Sequence, residues 1–228
     1  PIDYVPEISD VDIHVLFRET ECIERLGSIE AALAVQARVE EEYRARVAEP
    51  VHLPRPQVVI LNWLLADPDY SPSPAGTVTT LYGDPYPEAR YDEARERAVA
   101  VRTTLSHAPH LNRMCLRVID KPGTYLLAIL RELVWRVSPS APRVLILSGV
   151  PSREAWTLTR TQTVPRLEEI AEGQLARNYR DFYLAAWRCF LSEYADSSAM
   201  REAARAGLAV SARCVQIAEE RQAHEEAQ

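Results

Sequence analysis

The sequence predicts an α+β protein, with an N-terminal α/β domain over residues 1–86 and a C-terminal α-helical bundle over 87–228. Three observations predict it. A carboxylate pair, Asp10 and Asp12, leads into the alternating apolar run Val11 to Phe17, which describes a β-strand. An almost wholly apolar run, Gln57 to Leu65, stands between prolines and reads as a buried central strand. From residue 88 onward the apolar period becomes three and four, and it stays helical.

Composition narrows the function classes. A chain of 228 residues holds one large domain or two small ones, each with a core. With 47% apolar and 26% charged residues it is an ordinary globular chain rather than a disordered one. No apolar run approaches the ~18 residues that a membrane span needs, and no signal peptide is visible, so a cytoplasmic protein without a membrane partner is expected. Cys22, Cys115, Cys189 and Cys214 stand far apart with no Cys-x-x-Cys pair, the pattern of reduced, packed thiols. The net charge of −7 argues against nucleic acid and suits a cationic small substrate. Lys121 is the only lysine, which reads as coding bias.

The elements follow in order. After the first strand, Thr20 to Leu26 reads as a helical turn broken at Gly27, with Ser28 as N-cap of an amphipathic helix over 29–48. Ile29, Ala32, Val35, Val39, Tyr43 and Val47 form its inner stripe. The second strand follows Pro50, Pro54 and Pro56. Residues 67–87, rich in Pro, Asp, Ser and Gly, are loop with one short strand, Val78 to Tyr82, and the domain boundary falls near Tyr86. Helices are predicted over 88–106, 111–119, 124–136, 165–194 and 199–224, and Ser152 is placed to cap another starting near Arg153. Pro139 and Pro142 mark a loop, and Val144 to Leu147 is too short to assign by period.

Asp10 and Asp12 carry the chemistry. Side chains two apart on a strand share a face, so both acids present themselves together. Such a pair can hold a hard divalent cation, and Mg²⁺ with nucleotide phosphates suits so sparse a carboxylate set. The plainer alternative is an exposed strand start in which Ser9-Asp10 ends a loop.

The string Asp3-Tyr4-Val5-Pro6-Glu7-Ile8-Ser9-Asp10-Val11-Asp12-Ile13 resembles the active-site strand of the DNA polymerase β-like nucleotidyltransferases, above all the small bacterial branch that includes aminoglycoside adenylyltransferases. In that family a Gly-Ser helix start, which grips the triphosphate, precedes a Tyr-x-Pro-like loop and Ser-Asp-x-Asp. This chain opens at Pro1, so that element would lie upstream. The resemblance implies a mixed sheet in the first domain, Mg²⁺ held by Asp10 and Asp12, ATP or another NTP as substrate, and nucleotide contacts at Ser9. It also implies a third carboxylate on the second central strand, acting as metal ligand or general base. Pro56-Gln57-Val58-Val59-Ile60 resembles that strand, and Leu81-Tyr82-Gly83-Asp84 resembles the family's aromatic-Gly-acid step, which puts Asp84 among the nucleotide contacts. At the third-carboxylate place stands Gln57, whose amide neither accepts a proton nor binds Mg²⁺ strongly.

Asp67 and Asp69 lie on the adjoining loop, and Asn62 is either a weak oxygen ligand or a packed strand residue. His14 shares the face of Asp12, as a phosphate contact or a half-buried strand histidine. His107 and His110 lack a third ligand and read as helix-end residues. Gly149 and Gly173 form no phosphate loop. Tyr179, Phe182, Tyr183, Trp187 and Phe190 crowd one helix and read as core. Arg177 and Arg180, on the same helix, read as solvated cations.

Two functions follow as expectations. One is Mg²⁺-dependent transfer of a nucleoside monophosphate from an NTP to a hydroxyl of a small, aminoglycoside-like molecule. The other is a catalytically silent, nucleotidyltransferase-fold module of antitoxin-like or partner-binding kind, motivated by Gln57 and the missing Gly-Ser. A homodimer or a protein partner is compatible with either.

Overall fold

The computed structural model describes residues 11–25, 27–47, 56–74, 76–87 and 91–227. Helix accounts for 71% of the described residues, beside one small sheet, so the class is α+β with a large helical excess. The chain divides into two compact units, residues 1–72 and 73–228. That division falls inside the proline-rich stretch, upstream of the boundary expected near Tyr86.

In the first unit, β1 (Val11–Val15) leads through α1 (Thr20–Arg25) and α2 (Ile29–Arg46) to β2 (Pro56–Ile60) and α3 (Leu61–Ala66). Ser28 caps α2 as its sequence suggests, its Oγ accepting the Ala31 N–H at 3.1 Å. β1 and β2 pair in parallel with Val11 beside Pro56 and Val15 beside Ile60. The sheet among the described residues is therefore a parallel pair, not the mixed sheet expected. Alternation puts Asp12, His14, Gln57 and Val59 on one face and Ile13, Val15, Val58 and Ile60 on the other. The second face turns to α2: Ile13 and Val58 line an open groove of about 590 Å³ with Val35, Val39, Tyr43 and Val47.

The run from Gln57 to Leu65 is not one strand. β2 stops at Ile60, and α3 begins at once. Leu61, 1% exposed, turns inward there, and Asn62 grips the backbone just beyond β1, its Oδ1 accepting from Phe17 N–H and its Nδ2 donating to Phe17 O, each at 2.9 Å. Among the described residues Leu61 is the fully buried apolar side chain of this unit.

In the second unit the described residues 76–87 carry no helix or strand, so Val78 to Tyr82 forms no strand. Leu81 and Tyr82 stand 83% and 97% exposed, and no strand among the described residues pairs with them. The helices are α4 (Glu93–Leu105), α5 (Ala108–Ile119), α6 (Leu126–Leu147, entered through the 3₁₀ turn Gly123–Tyr125), α7 (Ser152–Thr157), α8 (Arg160–Glu169), α9 (Gly173–Leu191) and α10 (Ser197–Glu226). Asp92 caps α4, its Oδ1 accepting from Ala94 and Arg95 N–H. Ser152 opens α7 rather than capping it: its N–H and hydroxyl both donate to the Glu93 carboxylate. The core gathers α10 against α9, α6 and α4, with Phe182, Leu133, Ile129, Met114, Leu175 and Met200 sealed from solvent. At roughly 1.5–3 kcal/mol for each large side chain buried, this unit supplies nearly all the apolar stabilisation among the described residues.

Two helix boundaries differ from expectation for visible reasons. α6 runs through Pro139 and Pro142 to Leu147, because Ala141, Pro142 and Val144 to Leu147 are all buried, and that packing outweighs the lost backbone bonds. Beside the prolines, the Ser140 hydroxyl donates to the Arg136 carbonyl at 2.5 Å. The long helix expected over 165–194 breaks at Ala171, whose φ of 66° is left-handed, and Glu172 N–H closes the turn on Leu167 O at 2.9 Å. Gly149, at φ 93°, ends α6 in the same manner.

Candidate functional site

The parallel register brings the acidic strand and its neighbour together at one point. Asp12 stands beside Gln57, and His14 beside Val59, on the sheet face opposite α2. Asp12 is exposed; His14 and Gln57 are half-buried. Ser9 and Asp10 lie outside the described residues. The face therefore offers one described carboxylate, one carboxamide and one imidazole.

Gln57 thus occupies the strand position next to the acid where the resemblance implies a third carboxylate. Its Oε1 is a neutral oxygen and its Nε2 a donor, so it can orient an oxyanion or hydroxyl but cannot take up a proton. Among the described residues no group of three or more His, Cys, Asp or Glu converges to hold a metal ion. Asp12 and the Gln57 amide oxygen still suit an ion that arrives with a nucleotide, because Mg²⁺ keeps several waters and draws its remaining ligands from the phosphates.

Asp84 is exposed in the loop of the second unit. Asp67 accepts the Asp69 N–H at 2.8 Å, a local turn after α3. Asn62 is spent on the Phe17 backbone and is a clasp, not a ligand. Tyr179 and Phe182 are buried and Tyr183 and Phe190 half-buried, while Trp187 is 40% exposed. Arg177 donates to Gln174 at 2.8 Å, and Arg180 lies 3.5 Å from Asp181, both at the surface.

No family model, curated protein or solved structure matches this chain. No helix among the described residues is long and apolar enough to cross a membrane.

The second unit holds a polar cluster that sequence reasoning missed. His107, at the start of α5, keeps its Nδ1 buried with no partner. Burial, reinforced by Arg143, Arg136 and His110, pushes its imidazole down to about 4. Arg143 lies over the Trp156 ring, 5.9 Å from its centroid, and burial draws its guanidinium down to about 10, still charged at neutral pH. Cys214, buried beside Ser140, is pushed up to about 12, chiefly by burial, and is an inert thiol. The signal in the sequence was Arg136, Ser140 and Arg143 at helical spacing, and Pro139 and Pro142 hid it.

Proposed function

We propose that the chain is a nucleotidyltransferase-like enzyme in which a hydroxyl of a small molecule attacks the α-phosphorus of ATP or another NTP, taking on the nucleoside monophosphate while pyrophosphate leaves and the hydroxyl proton passes to solvent. A polycationic, aminoglycoside-like acceptor fits the net charge of −7. One observation carries the reading: Asp12, the second acid of Ser9-Asp10-x-Asp12, stands exposed on the sheet face turned away from α2, in register with Gln57. The acid is thus at the surface and not buried in the core.

Asp10 and Asp12 would hold the Mg²⁺, with the Gln57 amide oxygen as a weaker neighbour. The ion, when bound, neutralises charge on the transferring phosphate. Asp12 orients the phosphates on the strand face, and Gln57 orients but does not deprotonate the acceptor hydroxyl. Phosphoryl transfer draws most of its acceleration from positioning and electrostatics, while a general base adds about 10²–10⁴-fold. A chain with Gln57 is therefore expected to be slow rather than inert.

The register of Asp12 with Gln57 also favours a second reading, a silent domain of the same fold that binds nucleotide or a protein partner without turnover. Incubation with labelled ATP, GTP, CTP and UTP, Mg²⁺ and a panel of aminoglycosides tests both. Labelled acceptor supports the enzyme, binding without transfer supports the silent module, and neither binding nor transfer rejects the nucleotidyltransferase reading.

A further inference from the structure

Helix α9 is apolar over more of its circumference than one core can use. From Phe182 to Leu191 the one charged residue is Arg188. Phe182, Ala185 and Cys189 are buried in the core of the second unit, and Tyr183 and Phe190 are half-buried. Leu184, Trp187 and Leu191 are instead 57%, 40% and 63% exposed. They stand at spacings of three and four, so they form one stripe along the solvent face of the helix. A helix with apolar residues all round is ordinarily buried, so this stripe calls for a partner. Its largest member is already held in place: the Trp187 ring stacks on Phe190 with centroids 5.9 Å apart, and Phe190 meets Tyr194 edge-on at 6.2 Å. An indole ordered in advance loses little freedom when a partner covers it.

Charge selects the partner. Arg177 and Arg180 stand on the same face ahead of the stripe, and Glu193 follows it just past the end of α9; all three are exposed. The face is therefore basic at one end and acidic at the other, with the apolar stripe between. A second copy laid antiparallel reverses that order, so the basic end of each meets the acidic end of the other, twice over. A parallel copy would set arginine against arginine.

We propose that this face of α9 is the interface of a symmetric dimer, in which the helices of two copies pack antiparallel. With the two-fold axis between Leu184 and Trp187, Leu184 of one protomer meets Trp187 of its partner, and Leu191 lies along the aliphatic stem of Arg180. The same register brings Arg177 and Arg180 level with Glu193 of the other copy. The contact is one helix wide, at the small end of specific interfaces, so the dimer is expected in the micromolar range. The inference is independent of the acidic strand face in the first unit.

Sedimentation velocity of the full chain from about 1 to about 200 µM tests the proposal. The weight-average mass is expected to climb with concentration and to level at two chains. Leu184→Glu and Leu191→Glu change exposed positions and are expected to leave the melting temperature of the dilute protein in place. Each should raise the dissociation constant at least about a hundredfold, because a symmetric contact carries every substitution twice. Arg177→Glu with Arg180→Glu should weaken the dimer at least about tenfold, and adding Glu193→Lys should restore it, since the reversed charges meet again across the axis. Should Leu184→Glu fail to fold, Leu191→Glu and the charge reversal carry the test. The proposal is overturned if the wild type stays monomeric throughout, if the mass climbs past two chains without levelling, if the glutamate variants still dimerise, or if Glu193→Lys restores nothing.

Discussion

Asp12 of β1 and Gln57 of β2 are register partners in a parallel pair, so an acid and an amide share one point of the sheet face turned away from α2. Replacing the amide by an acid at that point is the most informative single change in the first unit. Gln57→Asp should convert a slow enzyme into a faster one, by up to about 10²-fold if the new carboxylate serves as general base. Initial rates of labelled transfer at fixed Mg²⁺ check this. A silent module would gain metal affinity from the same change and no turnover.

The second prediction concerns stability without metal. Asp12 and its motif partner Asp10 repel when they share a strand face, at about 1 kcal/mol when partly shielded from water. Asp12→Asn should therefore be neutral or raise stability by up to about 1 kcal/mol in the presence of chelator. Chemical denaturation measures it. A loss of several kcal/mol would mean that Asp12 holds the fold together.

Gly207 of α10 gives a test of core packing. A methyl there would sit 2.9 Å from Cδ2 and Cε2 of Phe182 and 3.3 Å from Cδ1 of Leu133. Both neighbours are sealed at 0% exposure and have nowhere to go. Alanine in a helix interior gains about 1 kcal/mol over glycine, and overpacking costs about 1–3 kcal/mol. The clash wins, so Gly207→Ala should lower the melting temperature by a few degrees.

His107 gives a pH signature. Its native pKa is depressed to about 4 from 6.5 by burial, with Arg143, Arg136 and His110 adding to it. Between those values the unfolded chain takes a proton that the native chain refuses, so stability present above pH 6.5 is lost progressively as pH falls towards 4. His107→Gln should flatten that slope. The difference between wild-type and variant melting curves from pH 7 to 4 isolates it from the carboxylates that titrate in the same range.

Legibility in the sequence followed the strength of local signals. Ser28 announced its cap, and the helical period after residue 88 announced the second unit, because both are written in neighbouring residues. The break of the Gln57–Leu65 run was hidden, since buried strand and buried helix look alike in an apolar stretch; a side-chain clasp across 45 residues, Asn62 on Phe17, accompanies the turn. Pro139 and Pro142 misled for the converse reason: local chemistry forbade a helix, and tertiary burial overrode it. Of the candidate site, Asp12 and Gln57 were legible as residues, and their pairing came from the register. The cluster around His107 and Arg143 joins segments far apart in the chain, which no local pattern reports.

The central claim is that Asp12 of β1, with Asp10 of the same motif, binds a nucleotide through Mg²⁺. Calorimetric titration of Mg·ATP, and of the other Mg·NTPs, into wild type and Asp12→Asn tests it most directly. The account predicts Mg²⁺-dependent binding of at least one nucleotide to wild type, abolished by the loss of one hard anionic ligand, with a rise in melting temperature on nucleotide that the variant does not show. Nucleotide binding that is unchanged in Asp12→Asn, or that needs no divalent cation, would contradict it.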